Sequence, residues 1–124
     1  MDQKIKIAIV EDEKSIRDLY SYKFKLSGYE VKTAENGIKG LELIEEFMPD
    51  LILLDLRMPL LSGEDMLELL RENDWAKDIK VIVLTNISKD EAPAKLRFLD
   101  VDQYIVKAQH TPAQIVDIVQ KVLA

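Results

Sequence analysis

The chain contains no cysteine and a single histidine, His110. The first absence excludes disulfides, thiolate nucleophiles and cysteine-based metal sites, and the second excludes a histidine cluster. Any metal held here must therefore be a hard cation bound by oxygen. No apolar run approaches the ~20 residues of a membrane span, and the opening MDQKIKIAIV is too short an apolar stretch and lacks a small-residue cleavage site. The chain accordingly reads as cytoplasmic, with no membrane partner. Positive charge is also scarce: 17 Lys and Arg against 23 Asp and Glu leave a net charge of -6, and the basic residues are scattered. Direct nucleic-acid binding is not expected, because phosphate contacts need Lys and Arg concentrated on one face.

What is abundant is apolar material, 48% of 124 residues, enough for one buried core and a single domain spanning 1–124. Short apolar runs alternate with stretches of helical period, the pattern of a parallel sheet between two helix layers. Strands are predicted at 4–10, 29–33, 51–54, 80–85 and 103–106. Helices are predicted at 16–26, 38–47, about 63–73, 92–99 and 113–123. Gly28 stops the first and Asn36-Gly37 turns into the second, while Ser62 caps the third. Ser88 with Glu91 resembles a capping box for the fourth, although Pro93 falls later than the favoured first position. Thr111, Pro112 and Gln114 supply a cap, a first-turn proline and a box partner for the last.

In folds with right-handed crossovers of this kind, ligands sit beyond the carboxyl ends of the strands. Those ends read Glu11-Asp12, Asp55, Thr85 and Lys107. Taken singly, each has an ordinary explanation as a helix-terminal charge, a cap, a β-former or a solvated lysine. Together they place three carboxylates, a hydroxyl and an ammonium on one rim. Crowded carboxylates raise one another's pKa unless a cation neutralises them, and Mg²⁺ fits an all-oxygen site completed by water and phosphate oxygens. Phosphoryl transfer to a carboxylate needs in-line access, a cation at the developing charge and donors for the remaining oxygens. The Thr85 hydroxyl and the Lys107 ammonium can be those donors. Without metal, Lys107 is expected to pair with Asp55.

The segments EDE at 11–13, LILLDLRMP at 51–59, SG at 62–63, VLT at 83–85 and YIVK at 104–107 resemble, in order and along the whole chain, the signature of response-regulator receiver domains. The resemblance implies an α/β, flavodoxin-like fold, a five-stranded parallel sheet in the order 2-1-3-4-5 with five helices on both faces. It implies that Asp55 accepts a phosphoryl group, that Glu11, Asp12, Asp55 and the Arg57 carbonyl hold Mg²⁺, and that Thr85 and Lys107 assist. It further implies a switch in which Thr85 moves toward the phosphoryl group and the Tyr104 ring turns inward, relaying the change to a partner-binding face. An ordinary strand tyrosine is the alternative for Tyr104. Such a domain catalyses its own phosphorylation and dephosphorylation without turning over an external substrate. Its donor is a sensor histidine kinase or a histidine phosphotransfer domain and its output an effector protein; with Lys121 the one basic residue of the last helix, a monomer is expected rather than a charge-laced dimer.

Three positions depart from the pattern. Ala108 follows the lysine where the family usually has a proline preceded by a cis bond. Asn86 stands where a small residue usually follows the hydroxyl and should narrow access to Asp55. Asp100-Val101 replaces a frequent Gly-Ala. Other readings of the same residues are a flavin-binding module, an aspartyl phosphatase and a receiver that acts only as an interaction domain. Against the first, acids stand at 11–13 where a phosphate loop would lie; against the second, Arg57 stands where a second acid is required.

Overall fold

The computed structural model describes residues 3–124. Five strands, β1 (Lys6–Val10), β2 (Glu30–Ala34), β3 (Leu51–Leu54), β4 (Lys80–Thr85) and β5 (Gln103–Val106), form one parallel sheet in the order β2-β1-β3-β4-β5. Four α-helices cover it: α1 (Lys14–Leu26), α2 (Gly37–Phe47), α3 (Gly63–Arg71) and α4 (Pro112–Leu123).

Apart from Lys6, Lys80 and Thr85 at their ends, the central strands β1, β3 and β4 are apolar because both of their faces are covered. Alternate residues feed two cores. Ala8, Val10, Ile52, Leu54, Val81 and Val83 pack with Ile44, Phe47, Met66 and Leu67 of α2 and α3. Ile7, Ile9, Leu51, Leu53, Ile82 and Leu84 pack with Tyr20, Phe24, Ile115 and Val119 of α1 and α4.

The caps form largely as the sequence predicts. Asn36 accepts from the Lys39 amide at 2.8 Å and Ser62 from the Asp65 amide at 3.3 Å, and Thr111 with Gln114 closes a reciprocal box. No cis peptide occurs among the described residues, so the Lys107–Ala108 bond is trans.

The expected fifth helix, over 92–99, is absent. In its place are two short 3-10 segments, Lys89–Glu91 and Ala94–Phe98, and Ser88 makes no side-chain cap. Pro93 separates the two segments: its ring drives the preceding Ala92 to an extended conformation (φ -60, ψ 140), so a helix begun at Lys89 stops there. What remains are i to i+3 bonds such as Leu96 N–H to the Pro93 carbonyl at 3.1 Å.

Candidate functional site

Strand register assembles the site. Val10 pairs with Leu54, so Glu11 and Asp55 each stand one residue beyond a matched pair at the neighbouring ends of β1 and β3. Thr85 pairs with Val106, which places Lys107 one residue further along the same edge. β1 lies between β2 and β3, where the order reverses, and in sheets of this kind that junction is the place where ligands bind.

All of the predicted strand-end residues meet there. Asp55 is 6% exposed, its amide donating to the Val10 carbonyl at 3.0 Å and its Oδ1 accepting from the Leu56 amide at 2.7 Å. Gly63 lets α3 approach: a Cβ at this position would lie 2.1 Å from the Asp55 carbonyl oxygen. Glu11 and Thr85 are buried, whereas Asp12 is exposed. One oxygen from each of Glu11, Asp12 and Asp55 lies within 4.8 Å of the others. That donor set, all carboxylate and partly open to water, fits a hard divalent cation.

Lys107 pairs with Asp55 as expected, its Nζ 3.6 Å from Asp55 Oδ2, but Glu11 is a second and nearer partner, with Oε1 at 2.7 Å. Burial pushes the Glu11 carboxyl up to about 7, against the opposing bonds from Lys107 and the Glu13 amide. Burial pulls the Lys107 ammonium down, but the Glu11 bond and the Asp55 charge outweigh it and hold the lysine above its ordinary value. One ammonium thus serves two buried carboxylates.

Beside the acids is a cavity of about 460 Å³ lined by Asp12, Leu56, Arg57, Met58, Ser62, Glu64 and Ile87. Asn86, expected to narrow the approach, is exposed and is not among the lining residues; Ile87 is. Ile87 also joins two predicted switch residues. Its amide donates to Thr85 Oγ1 at 3.4 Å, and its carbonyl accepts from the Tyr104 hydroxyl at 2.8 Å. Burial, with Glu64 and Asp55 nearby and Arg57 opposing, raises the Tyr104 phenol, which stays a donor.

Two participants were not picked out from sequence. Arg17 donates to the carbonyls of Glu11 at 2.8 Å and Asp12 at 3.2 Å. Glu64 has a buried carboxylate oxygen with no hydrogen-bond partner among the described residues. Helical period places both near the starts of α1 and α3, but only the fold shows what they face.

Comparisons agree with this geometry. The family model for the response regulator receiver domain matches residues 7–120. The DNA-binding dual master transcriptional regulator RpaA of Synechocystis is 34% identical over 102 residues, covering 82% of this chain and 42% of that protein. The polar-differentiation response regulator DivK of Brucella anthropi is 32% identical over 106 residues, covering 86% of each. The chain thus spans less than half the length of the first relative and most of the second. The chemotaxis protein CheY4 of Vibrio cholerae superposes with a TM-score of 0.88 at 26% identity, covering 97% of this chain and 99% of that one.

Proposed function

The chain belongs to the response regulator receiver domain family, and on that basis we propose that it is a phosphorylation-dependent switch with Asp55 as phosphoacceptor. The observation that carries this reading is the crowding of acids on the rim, where Glu11, Asp12 and Asp55 bring carboxylate oxygens within 4.8 Å of one another and a single ammonium, Lys107, pairs with the two buried ones, Glu11 and Asp55. A purely structural cluster would balance its buried charges.

Glu11, Asp12, Asp55 and the Arg57 carbonyl would hold Mg²⁺. Bound there, it would neutralise the acids and the charge developing on the transferred group. An Asp55 carboxylate oxygen attacks phosphorus of a phosphohistidine, the P–N bond breaks, and the leaving imidazole is protonated as the acyl phosphate forms. Lys107, released from Glu11, donates to a phosphoryl oxygen, as does the Thr85 hydroxyl. The donor is a sensor histidine kinase or a histidine phosphotransfer domain.

Output follows from the Ile87 bridge. As Thr85 turns toward the phosphoryl group, the Ile87 peptide is displaced, and Tyr104 is carried with it through their hydrogen bond. The moving face includes the segment 89–99, where Phe98 is 85% exposed. Phe98 and the half-buried Lys95 are the side chains this segment offers to an effector, while Leu99 packs into the core.

The test is covalent. Phosphoramidate or acetyl phosphate with Mg²⁺ should add one phosphoryl group to the wild type and none to Asp55→Asn, read by mass spectrometry. Labelling of Asp55→Asn at the wild-type level would remove the acceptor assignment. Labelling that persists in excess chelator would remove the metal.

A further inference from the structure

We infer that Arg17 is a positioning residue for the Glu11–Asp12 acid pair, setting its affinity for a divalent cation through the backbone. The inference rests on the proposed metal site. Nη1 of Arg17 donates to both carbonyls, at 2.8 Å from Glu11 O and 3.2 Å from Asp12 O. Arg17 makes no ion pair among the described residues, so its guanidinium is engaged by these two peptides rather than by a carboxylate.

The loop needs such a restraint. Glu13, the residue before α1, provides no side-chain cap, so the helix start does not tie the loop down. Glu11 is anchored by its own amide on the Ala34 carbonyl at 3.0 Å, and its side chain is engaged by Lys107 and the Glu13 amide. Asp12 has none of this. It is exposed, and the Arg17 contact is the one hydrogen bond recorded for it among the described residues. Asp12 is therefore the ligand with the most freedom to lose on binding, and Arg17 removes part of that freedom in advance.

Charge and position predict opposite signs. A guanidinium near the acids repels a cation, so deleting it should tighten Mg²⁺ binding if charge were its whole effect. If position dominates, deletion should weaken binding by about tenfold, the low end for supports one shell behind metal ligands.

Calorimetric titration with magnesium chloride separates the two for wild type, Arg17→Ala and Arg17→Gln. Glutamine keeps one donor without the charge and covers the case in which alanine does not fold. The result expected is saturable binding by wild type, about tenfold weaker binding by Arg17→Ala and a smaller loss in Arg17→Gln. Arg71→Lys, altered at the opposite edge of the sheet, should bind as wild type does; an equal loss there would tie affinity to general stability and overturn the inference. Unchanged or tighter binding in the Arg17 variants, with wild type saturating, also overturns it and leaves the metal site standing. Absence of binding by wild type removes the metal site itself.

Discussion

Lys107 Nζ lies 2.7 Å from Glu11 Oε1, and the two side chains are 14% and 4% exposed. The lysine that is proposed to contact a phosphoryl group on Asp55 is thus held, at rest, mainly by an acid of the metal set. A cation held by Glu11 would compete with Lys107 for that carboxylate and leave the lysine its second partner, Asp55.

The pH dependence of stability follows from Glu11. Burial raises its carboxyl from 4.5 to about 7, so the fold retains a proton that the unfolded chain has released. This contribution is fully present below pH 4.5 and is lost as pH rises through about 7. Glu11→Gln mimics the protonated form, so in chelator its melting temperature relative to wild type should rise steadily between mildly acidic and mildly alkaline buffer. A difference that does not vary with pH would contradict the assignment.

Removing the Tyr104 hydroxyl should uncouple output from the rim. In Tyr104→Phe, beryllofluoride should still shift amides around Asp55, while shifts across 94–98 should shrink by about half or more, since the bond to the Ile87 carbonyl is the one link cut. Full shifts in that segment, measured by amide NMR, would show that the relay takes another path.

The phosphorylated form should be long-lived. Arg57 and Ile87 line the cavity beside the acids, and neither accepts a hydrogen bond from an attacking water. Ile87→Glu or Arg57→Asn should speed loss of the phosphoryl group by about a hundredfold, the low end for a positioned proton acceptor. The decay is read by following the phosphorylated mass over time in magnesium buffer; variants that decay no faster than wild type would contradict this.

Arg71 should carry much of the stability at the other edge of the sheet. Its guanidinium donates to the carbonyls of Ala76 at 2.7 Å, Asp100 at 2.9 Å, and Leu99 and Ile79 both at 3.0 Å. Arg71→Ala strips donors from several carbonyls at once and should lower the unfolding free energy by about 3 kcal/mol in urea. A loss below about 1 kcal/mol would mean that water replaces these bonds.

Much of the site was legible from the sequence because the parallel α/β pattern places every strand's carboxyl end on one edge, so Glu11, Asp55, Thr85 and Lys107 meet there wherever the intervening helices lie. Three features were decided only in three dimensions. Pro93 split the segment into two short pieces because it forces the residue before it out of the helical region, whereas an apolar period is only an average over the segment. Lys107 chose Glu11, a residue 96 positions away, because that choice depends on fractions of an ångström set by the packing of β1 against β3 and β5 on β4. Arg17 and Arg71 bind backbone carbonyls, and carbonyl direction is a property of turns that residue identity does not encode. Sequence determined which groups share the rim; tertiary structure determined which of them touch, because hydrogen bonds fall off over distances shorter than any periodicity can specify.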